Sequence, residues 1–196
     1  MPLALITGAN RGLGLEFTRH YLADGWQIFA ACRDPAAANE LQRLVKKAGG
    51  KLAIVSMDVT DAKSVRAAAA QVGDARIDLL INCAGITGVS GQKVGKIDYD
   101  SWANVLDVNT MGPLRVIETF LDKIAQSQRR LVVTITSGMG SLADNISGGS
   151  IAYRTSKAAV NMAMRSAAID LVPKRIACVV LIRDGSRPTW AAPMRL

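Results

Sequence analysis

The sequence is poor in the residues that most often carry metal and hydrolytic chemistry, with one histidine and three cysteines in 196 residues. With a single imidazole, His20, and no acidic cluster, a Ser-His-Asp hydrolase or a histidine-ligated metal enzyme lacks its parts. Cys32, Cys83 and Cys178 are odd in number and form no C-x-x-C pair, so neither a disulfide framework nor a zinc site fits, and they read as reduced thiols inside a packed protein. Aromatic residues make up only 5%, which leaves few stacking platforms for single-stranded nucleic acid. Long hydrophobic runs are also missing. The longest, Ile176–Ile182, falls far short of the ~20 residues that a membrane-spanning helix needs. The start of the chain, Met1 to Gly8, carries no basic leader and enters a strand-like run at once, so the expected location is the cytoplasm.

What is present is the composition of a packed globular protein, 49% hydrophobic and 20% charged, at a length that suits one domain over 1–196. The net charge of +8 raises nucleic acid as a partner. The basic residues are spread along the whole chain, however, with only short pairs at Lys46-Lys47, Arg129-Arg130 and Lys174-Arg175. Solvated helix faces and an anionic small ligand account for that pattern better than a nucleic-acid surface.

Short β-branched runs alternate with helical patterns. Strands are expected over Leu3–Thr7, Gln27–Cys32, Lys51–Met57, Leu79–Asn82, Leu131–Thr136 and Ile176–Ile182. Helices are expected over Leu13–Asp24, Ala36–Lys47, Ala62–Val72, Tyr99–Ala125 with a break near Gly112-Pro113, and Ile151–Leu171. Strand-then-helix repetition predicts an α/β fold, a single doubly wound parallel sheet of Rossmann type with helices on both faces. Ligands in such sheets bind beyond the carboxyl ends of the strands.

The first strand ends in Thr7-Gly8-Ala9-Asn10-Arg11-Gly12-Leu13-Gly14 and leads into a helix. Gly8, Gly12 and Gly14 there permit a tight turn, and Asn10, Arg11 and Leu13 complete a loop that lets a pyrophosphate approach backbone N–H groups at a helix N-terminus. At the end of the second strand, Arg33 stands where an acid would hold a ribose 2′-hydroxyl, and its guanidinium fork suits a 2′-phosphate, so NADP is the expected cofactor; the neighbouring Asp34 keeps an NAD option open. Asp58-Val59 after the third strand and Asn82, Ala84 and Gly85 after the fourth lie where adenine and ribose would sit, although Asp58 could equally cap the next helix. Tyr153 and Lys157 are one helical turn apart and share a face, and an ammonium beside a phenol favours the phenolate, as proton transfer to a carbonyl oxygen requires. Ser137, after the fifth strand, can donate a hydrogen bond to a developing oxyanion at the same sheet edge.

Taken together, T-G-x-x-x-G-x-G at Thr7–Gly14, Asp58-Val59, N-x-A-G at Asn82–Gly85, Asn109, Ser137 and Tyr153-x-x-x-Lys157 resemble the short-chain dehydrogenases/reductases over about residues 3 to 180. G-A-N-R-G-L-G, A-C-R-D-P and Ser150–Lys157 look most like the C-factor and sniffer group of NADP-dependent carbonyl reductases. The resemblance implies hydride transfer to a small carbonyl compound or the reverse alcohol oxidation. It also implies roles: Tyr153 as acid/base, Lys157 holding the nicotinamide ribose, Ser137 polarising the carbonyl, and Asn109 holding a relay water. A homodimer or higher homo-oligomer through the Tyr153 helix and the long helix before it is expected as well.

Two departures stand out. Cys83 replaces the second asparagine often seen in N-N-A-G. After Val180-Leu181 the family's P-G turn and substrate-covering segment are missing, and Arg183–Trp190 looks like a closing strand. A parallel neighbour requires a crossover of about a dozen residues or more, so a covering segment of tens of residues is expected to be missing between about Leu181 and Arg183. A chain continuous there would favour the alternative, an NADP-binding regulatory or signalling protein with little turnover.

Overall fold

The computed structural model describes residues 1–183. Six strands, β1 (Leu3–Thr7), β2 (Gln27–Cys32), β3 (Leu52–Ser56), β4 (Leu79–Asn82), β5 (Leu131–Ser137) and β6 (Ala177–Arg183), form one sheet in the order β3-β2-β1-β4-β5-β6. Every pairing is parallel. The crossovers carry α1 (Gly12–Ala23), α2 (Asn39–Lys47), α3 (Ala62–Val72), α4 (Tyr99–Leu106), α5 (Gly112–Ala125) and α6 (Ile151–Asp170). This is the doubly wound fold that the alternation predicts.

The period-two alternation of side chains divides β1 between two cores. Leu3 and Leu5 face a cluster built with Val65, Val116, Phe120, Val160 and Met164, from the α3, α5 and α6 side. Ala4 and Ile6 face the opposite cluster, with Leu15, Phe17 and Leu41 from α1 and α2. All five β1 residues are buried, which is why the strand reads as an unbroken apolar run. Strand order reverses between β1 and β4, so the loops leaving those two strands diverge and open a crevice at the carboxyl edge.

Several boundaries shift by a residue from the sequence expectation, and three differences have a clear physical reason. The segment Ala36–Ala38 stays outside α2 because the Asp34 carboxylate accepts from the Ala36 and Ala37 N–H groups at 2.9 and 3.1 Å, closing an Asx turn that competes with helix. The long helical stretch breaks earlier than Gly112-Pro113. It passes through a π-turn over Asp107–Met111, and Pro113 sits in the first turn of α5, where its missing N–H costs nothing. Third, β6 is shifted one residue on from the expected Ile176–Ile182, and Leu181, Ile182 and Arg183 pair with Ile135, Thr136 and Ser137. The reason is the length of β5, which runs on to Ser137 and offers a partner for each of those residues. The rest of the expected closing strand, Asp184–Trp190, lies outside the described residues.

Candidate active site at the carboxyl edge

Thr7 closes β1, and its buried hydroxyl oxygen accepts from the Cys83 and Ala84 N–H groups at 3.0 and 3.1 Å. That bond pair sets the end of β1 against the loop leaving β4. Gly8 follows at φ +65, and a Cβ there would lie 2.7 Å from the Ala84 Cα, so only glycine allows the approach. Gly14 is equally constrained, since its Cβ would fall 2.4 Å from the Gly8 carbonyl oxygen and push α1 off the loop. Gly12, at φ +57, has nothing within 4 Å of its Cβ position; with exposed Asn10 and Arg11 beside it, it leaves the mouth of the loop open at the α1 N-terminus. Leu13 is half-buried in the first turn.

Arg33 is exposed immediately beyond β2. Asp58 faces it across the edge. Burial pushes the Asp58 carboxyl up, but hydrogen bonds from the Thr60 N–H and hydroxyl and the charges of Arg33 and Arg115 outweigh burial and hold it below the usual carboxylate range. The capping alternative for Asp58 resolves in favour of its neighbour, because Asp61 caps α3 by accepting from the Lys63 N–H at 2.7 Å. Val59 is buried against Gly112, whose Cβ position lies 2.9 Å from a Val59 methyl. Asn82, 3% exposed, donates to the Thr134 hydroxyl at 3.3 Å, while its Oδ1 is buried with no partner.

Lys157 is the least exposed charge of the site at 5%. Its ammonium donates to the Ile135 carbonyl at 2.9 Å and lies 5.7 Å from the centre of the Tyr153 ring, so the expected shared helix face is present. Burial lowers the Lys157 pKa, and the nearby Cys83 opposes that shift. Burial in turn pushes the Cys83 thiol up to about 11 despite the Lys157 charge, so Cys83 stays protonated and is no nucleophile. Ser137 is the last residue of β5 and not the one after it. Its oxygen accepts from the Met139 N–H at 3.2 Å, which leaves the hydroxyl proton free to be donated. Gly140 brings the turn after β5 onto α6, where a Cβ would meet the Lys157 carbonyl carbon at 2.8 Å. Asn109 is buried in the π-turn, and the Gly85 Cβ position lies 3.3 Å from its Oδ1 and 3.9 Å from the Lys157 Nζ. Glycine at position 85 therefore keeps a small space open between those two groups.

Every sequence-predicted residue thus lies toward one edge: in the glycine loop and first turn of α1, at or just beyond the ends of β2 to β5, in the π-turn, or on α6. Thr7 and Ser156 are functional candidates that the sequence alone does not single out, although both stand inside the quoted motifs. Their signal is a hydroxyl at a position that proves to be wholly buried.

Comparison with known proteins settles the lineage. The family model described as short chain dehydrogenase matches residues 2–185. The chain belongs to the short-chain dehydrogenase family. The C-signal protein of Myxococcus xanthus is 44% identical over 126 residues, covering 64% of this chain and 72% of the relative. Among solved structures, an NADPH-bound carbonyl reductase from chicken fatty liver superposes with a TM-score of 0.85 at 35% identity, covering 93% of this chain and 79% of that one. The carbonyl reductase Sniffer of D. melanogaster gives 0.84 at 31% identity, covering 93% and 80%. Short-chain dehydrogenase membership makes this chain one of a family of oxidoreductases.

The Thr7 bond pair generates a prediction about the whole edge. Replacing Thr7 by valine keeps the shape but strands two N–H groups, so Thr7→Val should lower unfolding free energy by about 1–3 kcal/mol in urea titration. Stability equal to the parent would show that the hydroxyl does not hold β1 to β4.

Proposed function

We propose that the protein is an NADPH-dependent reductase of small carbonyl compounds, or runs the reverse alcohol oxidation, with Tyr153 as the acid/base. The observation that carries this reading is the buried Lys157 ammonium 5.7 Å from the Tyr153 ring centre, on the same edge as Ser137 and the open glycine loop. The residues fit the cofactor. Gly12 leaves an open approach to the α1 N-terminus for a pyrophosphate, and Arg11 and Arg33 are both exposed on the side where a 2′-phosphate would lie. Asp58, Val59, Asn82, Ala84 and Gly85 would line the adenine and ribose path, with the unpartnered Asn82 Oδ1 beneath it.

NADPH supplies a hydride when bound. The protein's own groups manage the proton and the charge. Tyr153 gives its hydroxyl proton to the carbonyl oxygen as that oxygen becomes an alcohol, and Ser137 donates a hydrogen bond to the same oxygen. Lys157 balances the phenolate left on Tyr153 and would hold the nicotinamide ribose of the bound cofactor. Asn109 and the space kept by Gly85 hold the water through which Tyr153 is reprotonated. The structurally similar carbonyl reductase from chicken fatty liver binds NADPH, which supports the cofactor assignment.

A second reading, an NADP-binding regulatory or signalling protein with little turnover, draws support from the similarity to the C-signal protein of Myxococcus xanthus. One experiment separates the two. Tyr153→Phe should abolish NADPH oxidation with an aromatic aldehyde while leaving NADPH binding intact. A variant within about tenfold of the parent would overturn the role of Tyr153, and a parent that binds NADPH without oxidising it would move the assignment to the regulatory protein.

Arg33→Asp should weaken NADP by about 1.5–3 kcal/mol and spare NAD, as read by titration calorimetry. Equal affinity of the parent for both cofactors would overturn the 2′-phosphate assignment. For assembly, Met111, Met162 and Ile169 are 47%, 68% and 57% exposed on the π-turn and α6, an apolar presence that suits a homodimer through α5 and α6. Sedimentation at micromolar concentration should give the dimer mass, and a monomer would refute it. The cytoplasm remains the proposed location.

A further inference from the structure

Asn109 and Lys157 stand on different elements, the π-turn before α5 and the second turn of α6, and something must fix their relative position. The contacts point to Ser156, which lies between Tyr153 and Lys157 and has no role in the motif itself. Ser156 is 0% exposed. Its hydroxyl donates to the Tyr153 carbonyl at 2.8 Å and accepts from the Asn109 Nδ2 at 2.9 Å. The other contacts of that amide go to backbone: Nδ2 donates to the Ile86 carbonyl at 2.8 Å, and Oδ1 accepts from the Ile86 N–H at 2.9 Å. The next residue repeats the grip, because the Thr110 hydroxyl donates to the Ser156 carbonyl at 3.0 Å.

The chain of bonds therefore runs from the loop after β4, through Asn109, through Ser156, to the carbonyl of Tyr153. In the α-helix that same carbonyl accepts from the Lys157 N–H, four residues on. We propose that Ser156 is a positioning residue, the lock that holds the Asn109 amide in register with Tyr153 and Lys157; this rests on the reductase reading above. Asn109 reaches the reacting groups through its Oδ1 side, next to the space over Gly85 and the Lys157 ammonium. Ser156 fixes that side by occupying the nitrogen. A serine bonding back to the carbonyl three residues earlier is a weak helix device on its own. Here the hydroxyl also accepts from Asn109, and without it one Nδ2 proton is buried with no acceptor. The amide would then rotate or draw in a water, and the proton path would shift by a fraction of an ångström to an ångström.

The test compares the parent with Ser156→Ala and Ser156→Thr, which keeps the hydroxyl, using NADPH and an aromatic aldehyde. Ser156→Ala should lower kcat by about 10- to 100-fold, leave NADPH affinity unchanged, and displace the pH profile of kcat. Ser156→Thr should recover most of the rate and the parental profile. Side-chain amide exchange of Asn109, followed by NMR, should quicken in Ser156→Ala and not in Ser156→Thr. Should Ser156→Ala not fold, Ser156→Cys keeps the volume while weakening both bonds, with the same expectations. Parental kcat, pH profile and Asn109 exchange in the folded variant would overturn the proposal. So would a rate loss matched by an equal loss of NADPH affinity, which marks a general collapse of the pocket. A parent that reduces no aldehyde overturns the reductase reading and the catalytic part of this one. The lock is then decided by Asn109 exchange alone, with unchanged exchange overturning it.

Discussion

A single buried ammonium sets the terms for the carboxyl edge. Lys157 is nearly inaccessible to solvent, and removing a charge from water is costly unless hydrogen bonds and nearby groups replace the lost solvation. The Ile135 carbonyl supplies one acceptor, and the missing side chains of Gly85 and Gly140 let the β4 loop and the turn after β5 close around it. Linkage gives the sign of its effect on stability. The folded pKa of Lys157 lies below its ordinary value, so between the two the unfolded chain binds more protons, and the penalty for burial falls away as pH rises through that interval.

The rest of the edge follows from the sheet. Parallel strands deliver their carboxyl ends to one side, and the reversal of order between β1 and β4 opens the crevice there. Thr7 and Gly8 hold the two central strands at the distance the crevice requires, and α6 carries Tyr153 and Lys157 across its end. Tyr153 and Lys157 thus stand on a helix packed against the sheet, while the glycine loop is open and Arg11 and Arg33 are exposed.

Much of this was legible in the sequence, because hydrophobic periodicity reports sheet and helix faces directly. β1, β2, β4 and α3 have the expected limits, and the glycine loop, Ser137, Asn109, Tyr153 and Lys157 fall on the expected edge. The hidden features each had a local cause. Ala36–Ala38 have strong helix propensity, yet one carboxylate two residues upstream outcompetes it. The π-turn depends on one extra residue of register that periodicity cannot see. The last pair of β5 and β6, Ser137 with Arg183, depends on the two strands meeting in the folded sheet and not on either run alone. Ser156 and Thr7 stay inconspicuous in the sequence because a hydroxyl shows its partners only when the chain is folded.

The central claim is that this edge moves a hydride from NADPH to a carbonyl carbon. Incubation with NADPH carrying deuterium at the transferable C4 position, followed by mass spectrometry of the alcohol formed from an aromatic aldehyde, reads that step directly. The account predicts one deuterium on the carbinol carbon and none on the oxygen. Tight NADPH binding with no labelled alcohol would contradict it.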